Sequence, residues 1–337
     1  MDFAFTPDQL ALAETVRDVL TEHCPPKALR AERLPAWDRL AAVGFFGLLV
    51  PPEADGLGLR LVDALPALEE TGRACLPGPV VETAVVAPYL LPWVPKLASG
   101  AVRVSVVPPG GAGAPDADLA DLIVVSRGSD GGAVVVGREA ARLRPLPGPD
   151  PCRRLSEVSY TDATPLDRPL GPALRAATVA TAAQLIGVAR RLLEVSVSYA
   201  RVRRQFGAPI GSFQAVKHRL ADVAVGIAFA APLVHRAALA VEAAVPDAGV
   251  PDRGVPDGGV PDVDRDVSAA KAAAGEAADL AARAALQTHG AIGYTEELDL
   301  RFWLARAWSL SAAYGGAAEH RARIREALAG GDLRRYP

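Results

Sequence analysis

Residues 203–223 read RRQFGAPIGSFQAVKHRLADV. The stretch interrupts what is otherwise one long helical pattern. ALRAATVATAAQLIGVARRLLEVSVSYARV precedes it, and an apolar, alanine-rich pattern resumes at Ser212 and runs to about Ala244. Phe206-Gly207, Pro209 and Gly211 stop the helix, because proline lacks the amide donor and glycine favours turn conformations. A plain helical hairpin needs only the turn. This one also carries Arg203, Arg204, Gln214, Lys217 and His218, a set of cationic and amide donors that asks for a role.

Outward from that turn the chain divides into three parts. Residues 1–98 read as helices. Thr6-Pro7-Asp8 supplies a capping hydroxyl and a proline at the first helical position, and Leu10, Leu12, Val16, Val19 and Leu20 keep helical spacing. A second helical pattern begins at Trp37 and ends near Gly44, and Val80–Leu91 reads as a buried helix. Residues 99–168 change character. VRVSVV, LIVVS, AVVVG and VSYTD are short β-branched runs separated by PPGGAGAPDAD, RGSDGG and PLPGPDP, the pattern of a small β domain. Residues 169–337 return to helix as a bundle, with a break at Tyr314-Gly315-Gly316. Within it, a VPDxG repeat at 245–264 predicts a flexible surface loop, since proline and glycine at that density bury little. The fold class is therefore α+β, mostly α: an N-terminal helical domain, a small central β domain and a C-terminal helical bundle.

Bulk properties exclude several functions. The net charge of −3 and the absence of a basic block give no nucleic-acid signature. The N-terminus, MDFAFTPDQLALAETVRDVL, lacks the apolar run of a targeting peptide, and no segment of about 20 apolar residues predicts a membrane span. Cys24, Cys75 and Cys152 have neither metal-ligand nor disulfide-framework spacing and read as reduced, buried thiols of a cytoplasmic protein. His23, His235 and His320 form no metal spacing, and His218 and His289 read as structural. On spacing alone, Arg203 and Arg204 read first as solvated helix-surface charges, and Gln214 as a helix cap.

The order of elements, together with RRQFGAPIGSFQAVKHRLAD and ALQTHGAIGYTEELDL, resembles the acyl-CoA dehydrogenase family of flavoproteins. GFFGLLVPPEADGLG and EETGRACLPGPVVETAVVA extend the likeness to the N-terminal part. The resemblance implies FAD as cofactor and an acyl-CoA thioester as substrate, with electron-transfer flavoprotein as an acceptor it allows. In the family, the arginine of the Arg-x-x-Phe-Gly turn and a following glutamine reach the FAD of a neighbouring subunit. The matching residues are Arg203, Phe206 and Gln214. The family's Gln-x-x-Gly-Gly turn approaches the same cofactor through its backbone and corresponds to Gln287–Ala291, with Gly290 in place and Ala291 a departure.

Two family features are missing. The catalytic glutamate, which in many members precedes a Gly-Thr pair, falls on Gly315. The alternative base position, at the start of the long helix, falls near Ala177. Neither has a carboxylate. Glu296, Glu297, Asp299 and Glu319 read as surface charges or caps. The Thr-Glu-Pro-like and Gly-Ser stretch that holds the flavin is absent between Leu97 and Asp167. These losses resemble the short subunits of actinobacterial heteromeric acyl-CoA dehydrogenases, some of which act on CoA esters of steroid side chains. The resemblance then implies a full-length homologue as partner, holding flavin and base, while this chain completes the cofactor site. Alternatives are a self-sufficient homomeric flavoenzyme with a displaced base, and a non-catalytic helical scaffold.

Overall fold

A computed structural model describes residues 4–111, 113–127, 132–244 and 262–330. Five helices open the chain: α1 (Pro7–His23), α2 (Pro26–Ala31), α3 (Trp37–Ala42), α4 (Leu61–Arg73) and α5 (Ala87–Leu90), the last entered through a π-helical turn at Glu82–Val86. The start of α1 is fixed as its sequence predicts. Thr6 accepts from the Gln9 amide, and the Gln9 side chain accepts from the Thr6 amide, a reciprocal capping box with Pro7 in the first turn.

Seven strands follow: β1 (Val104–Val107), β2 (Ala114–Pro115), β3 (Leu122–Arg127), β4 (Gly132–Gly137), β5 (Ala141–Leu146), β6 (Leu155–Tyr160) and β7 (Thr164–Leu166). They form a sheet of order β1-β3-β4-β7, parallel only between β1 and β3, and a smaller antiparallel sheet of order β2-β6-β5. Strand periodicity explains how the first sheet is buried on both faces. Ile123, Val134 and Val136 face the second sheet in a small core of their own, while Val124, Ala133, Val104 and Val106 point into the main helical core.

The remaining elements are α6 (Leu170–Val202), a short hairpin of β8 (Arg204–Gln205) and β9 (Ala208–Pro209), then α7 (Gln214–Ala243), α8 (Val263–His289), α9 (Leu300–Ala312) and α10 (Ala317–Gly330). The centre is α6, packed by α4, α7, α8 and α9. Its crossing with α4 is backbone on backbone. A Cβ on Gly72 would lie 2.0 Å from the Gln184 carbonyl oxygen, and one on Gly187 would lie 1.9 Å from that of Glu69. Alanine dominates the buried face of α6, including Ala173, Ala176, Ala177 and Ala180, so small side chains let the helices approach.

Three expectations need correction. The VPDxG loop lies largely outside the described residues, but its expected end does not: helix α8 starts at Val263, with the Asp262 carboxylate accepting from the Arg265 amide at 3.1 Å. The expectation of no membrane-length apolar segment also fails as a statement about sequence. Both α6 and α7 are long and apolar enough to cross a bilayer, yet 83% of the α6 window is buried inside the fold, making it a core helix. Lastly, β2, β5 and β7 carry no β-branched run and were not expected. In β5, exposed Arg142 and Arg144 and a proline at 145 mark an edge strand.

Candidate functional site

The three parts of the chain meet around one guanidinium. Arg306, on α9, is 3% exposed and spends its donors on the other two parts. Its Nε donates to Asp150 Oδ2 at 2.6 Å, Nη1 to the Leu76 carbonyl at 2.8 Å and Nη2 to the Cys152 carbonyl at 2.9 Å. Asp150 also accepts from the Cys152 amide, so the buried carboxylate is fully engaged. Burial opposes the charge on Arg306, but Asp150 and the nearby thiols outweigh it and hold its pKa above the ordinary value. A buried pair with each partner multiply hydrogen-bonded meets the condition under which desolvation is offset.

Beside Arg306, the Tyr314 hydroxyl donates to Glu82 Oε1 at 2.8 Å. Glu82 sits on the π-helical turn, whose Thr83 exchanges hydrogen bonds with Val104 on β1. Burial, then the neighbouring carboxylate, pushes the Tyr314 phenol well up. What remains open between Glu82, Arg153, Gln184, Arg306 and Tyr314 is a cavity of about 20 Å³. That is room for about one water, whereas small-molecule sites occupy roughly 300–1,000 Å³.

Gly315, where the resemblance puts the base, borders this junction. Gly315 has φ +104°, and a Cβ there would stand 2.8 Å from His320 Nε2. The turn is clamped from behind: Lys271 Nζ donates to the Ser311 and Gly315 carbonyls at 2.9 and 3.0 Å. His320 Nε2 lies 3.1 Å from the Tyr314 carbonyl, and Nδ1 lies 3.2 Å from the Ser268 hydroxyl. With Nε2 as the donor, both ring nitrogens are satisfied in the neutral form. Burial lowers Lys271 to about 7, and burial, followed by the Lys271 charge, lowers His320 to about 4. Ala177, at the alternative base position, is fully buried. Glu319 pairs with Arg323, Glu296 with Arg301 and Asp299 with Arg30; Glu297 is exposed.

The donor-bearing turn lies on the outside of the bundle. Helix α6 ends at Val202 with Arg203 as its C-cap, and the Ile210 amide donates to the Arg203 carbonyl, closing a tight hairpin. Arg204 pairs with Pro209 and Gln205 with Ala208 across a two-residue turn, with Phe206 at φ 51° and Gly207 at φ 78°. Positive φ at both central positions matches the twist of a hairpin, at a cost for the non-glycine residue. The Phe206 ring is 94% exposed and meets Phe213 edge-on at 6.1 Å. Arg204 donates back to the Gly207 carbonyl at 2.9 Å. Among the described residues the exposed Arg203 guanidinium has no hydrogen-bond or ion-pair partner, and Gln214 opens α7 with its side chain exposed.

The second motif lies close by. His289 is buried and packs on Tyr199, four residues before Arg203, at 4.4 Å between ring centroids. Its Nδ1 is 2.8 Å from the Ala285 carbonyl. Gly290 takes φ 65° and ψ −142°, a region essentially reserved for glycine, which exposes the turn at Gln287 and Ala291. The structure thus brings Arg203, Phe206 and Gln214 to the same end of α6 as Gln287, Gly290 and Ala291. The residues of the closed junction, Glu82, Asp150, Lys271 and Arg306, were not singled out from the sequence. The available signal was a lone charge within an apolar helix: Arg306 in FWLARAWSL and Lys271 in AAKAAAG.

The donor set has the chemistry a diphosphate cofactor needs: an unpaired arginine fork, with an exposed Gln214 amide and a glycine turn at the same end of α6. The junction does not fit a flavin ring, because its remaining volume is far too small.

Comparison with known proteins agrees with this architecture. Residues 6–100 match the acyl-CoA dehydrogenase N-terminal domain, and residues 172–329 match the acyl-CoA dehydrogenase C-terminal domain. The acyl-CoA dehydrogenase IpdE2 of Mycobacterium tuberculosis is 34% identical over 312 residues, covering 88% of this chain and 89% of its own length. A chain of a Tcur3481-Tcur3483 steroid ACAD variant has a TM-score of 0.82 at 24% identity, covering 96% of this chain and 98% of its own. The ChsE4-ChsE5 complex from M. tuberculosis gives 0.79 at 22% identity, with 100% of both chains covered. The fold they share is that of a three-domain flavoprotein dehydrogenase. The chain belongs to the acyl-CoA dehydrogenase family, whose members are FAD-dependent oxidoreductases acting on the CH–CH bond of acyl-CoA thioesters.

Proposed function

We propose that this chain is the base-lacking subunit of a heteromeric acyl-CoA dehydrogenase and completes the FAD site of a full-length partner. The observation that carries the reading is the contrast between two places. The inner junction keeps only about 20 Å³ and presents no carboxylate at Gly315 or Ala177. The outer hairpin keeps an exposed, unpaired Arg203.

FAD, when bound, supplies the two-electron acceptance that α,β-dehydrogenation of an acyl-CoA requires. Arg203 would grip its diphosphate, Gln214 would add an amide, and the Gln287–Ala291 turn would approach through its backbone. Phe206 would become buried and exclude water from the charged contact. The face around the hairpin supports an interface. Val225, Phe229 and Leu233 follow one another by single helical turns on α7, with Leu280 of α8 beside them, all exposed. Association with a full-length homologue would cover that stripe.

A self-sufficient enzyme with a displaced base is disfavoured because Glu82, the carboxylate lining the cavity, is hydrogen-bonded by Tyr314. A scaffold without flavin leaves the unpaired donors at the family's spacing without a purpose. The steroid ACAD among the structural relatives makes CoA esters of steroid side chains the substrate class to test first. We place the complex in the cytoplasm, a reading supported by the free cysteines, and take electron-transfer flavoprotein as its acceptor.

Co-purification with a full-length family member that carries both the flavin stretch and the base tests the proposal. Dehydrogenation should appear only when both chains are present. Ordinary turnover by this chain alone would refute it.

A further inference from the structure

Most arginines of the C-terminal bundle meet a carboxylate. Arg190 pairs with Glu69, Arg283 with Asp279, Arg321 with Glu276 and Arg323 with Glu319. Among the described residues Arg201, Arg203, Arg204, Arg219 and Arg325 have no such ion pair. All but Arg325 gather at one end of the bundle. Lys217 and His218 join them there, exposed and likewise without an ion pair. Arg204 reaches only the Gly207 carbonyl, which leaves its charge unanswered.

The backbone brings these cations together. The Ile210 amide donates to the Arg203 carbonyl at 2.8 Å, and a Cβ on Gly211 would lie 3.0 Å from the Ala200 carbonyl oxygen. The start of α7 is therefore held against the end of α6. Between residues 195 and 241 the chain carries a single acid, Asp222, which is exposed and makes no ion pair among the described residues. Arg201 suits the C-terminal end of α6. Lys217 closes the first turn of α7, where the helix dipole disfavours a cation and no acid is present to offset it. Like charges held on one surface repel, and the free chain contains nothing that relieves them.

One FAD diphosphate, gripped by Arg203, cannot neutralise the whole set. The surface between the charges is apolar: Val202, Phe206, Phe213 and Val225 are exposed. Aromatic rings set among arginines are the composition of a protein interface rather than of a pocket for a small anion. The chain's net charge of −3 disfavours nucleic acid as the occupant.

We infer that this cationic end of the bundle docks on an acidic face of the full-length partner, whose carboxylates pair with Arg201, Lys217 and Arg219 around the cofactor contact. The inference rests on the heteromer proposed above and adds what selects the partner. Complementary charge steers the encounter and fixes its register. A second copy of this chain offers the same face, and would set cation against cation. The patch thus favours the heteromer over a homomer by repulsion as well as by attraction.

The test measures association of the intact chain with the immobilised full-length family member with which it co-purifies, at about 0.05 M and about 0.5 M sodium chloride, where screening differs strongly. The Kd should rise roughly tenfold or more at the higher salt, chiefly through a slower association rate. Replacing Arg201, Lys217 and Arg219 together by glutamine should weaken binding about tenfold at low salt and flatten the salt dependence. FAD per assembled pair should not change, and neither should the Tm of the free chain. Arg325→Gln, an unpaired arginine on α10, should alter none of these. A salt-independent Kd in a complex that still carries FAD would overturn the inference and leave the heteromer standing, and so would a triple variant that binds like the unmodified chain. Absence of association at both salts would refute both. Duplex DNA bound by the free chain more tightly than the partner would make the patch a polyanion surface and also overturn the inference. The salt dependence uses the unmodified protein, so a variant that fails to fold leaves the test decisive.

Discussion

Tyr314 donates its hydroxyl to Glu82 across 2.8 Å, joining the turn between α9 and α10 to the π-helical turn of the N-terminal helices. The bond closes the junction from both sides. Tyr314→Phe should leave a buried carboxylate oxygen without its donor, costing about 1–3 kcal/mol in urea unfolding. It should not create dehydrogenase activity in the isolated chain. Gly315→Glu, which puts a carboxylate where the resemblance places the base, should also be inactive alone and less stable, because the backbone at φ +104° and the His320 ring leave no room for a side chain. Activity in either isolated variant would show that the junction is a working site held shut.

Arg203 is the proposed cofactor contact with the sharpest expected signature. In the assembled complex, Arg203→Ala should weaken FAD retention by tenfold or more, the loss of a charge-assisted contact of roughly 1.5–3 kcal/mol. The Tm of the chain by itself should not move, since the guanidinium has no partner within it among the described residues. Arg203→Lys should restore only part, because an ammonium cannot form the planar fork. Unchanged FAD retention in Arg203→Ala would remove the hairpin from the cofactor site.

The α4–α6 crossing should be intolerant of a single methyl group. Gly72→Ala and Gly187→Ala each place a Cβ about 2 Å from a backbone oxygen that belongs to the facing helix. Overpacking of this kind typically costs about 1–3 kcal/mol, and the rigid backbone partner puts these changes at the upper end or beyond. Equilibrium unfolding of each variant, compared with Gly148→Ala on an open loop, is the measurement.

His320 gives a pH signature whose sign follows from burial. Its folded pKa is lowered from 6.5 to about 4, so below pH 6.5 the unfolded chain binds the proton that the folded chain refuses. The His320 contribution to stability is therefore lost as pH falls from about 6.5 towards 4. Lys271 acts in the same direction at higher pH, between 10.5 and about 7. Asp116, raised by burial to about 6, opposes His320, because its folded form gains a proton first as pH falls. His320→Gln should abolish the His320 part of the acid-side slope in urea unfolding measured from pH 7 to 4. An unchanged slope would mean that the imidazole titrates normally.

Much of this arrangement was legible in the sequence, for local reasons. Thr6-Pro7 fixed a helix start by capping chemistry, and the β-branched runs from Val104, Leu122 and Ala133 marked strands by composition. The Phe206-Gly207 turn was readable as a helix break, but not as a hairpin of two-residue strands, which depends on positive φ at a phenylalanine. Strand β5 was hidden because an edge strand can be charged and carry proline. The closed junction was hidden for a different reason. Arg306, Asp150, Glu82 and Tyr314 lie on separate elements, and only tertiary packing shows that they satisfy one another. The cysteines are buried thiols, as their spacing predicts, but the contact of the Cys152 carbonyl with Arg306 follows from the same packing.

The most direct measurement is the visible absorbance spectrum of the purified chain, first alone and then co-purified with a full-length family member. The account predicts a colourless chain alone and a yellow complex with about one FAD per pair, because the junction here admits little more than a water while the outer hairpin offers its donors to a neighbour. A yellow chain with stoichiometric FAD and no partner would contradict it.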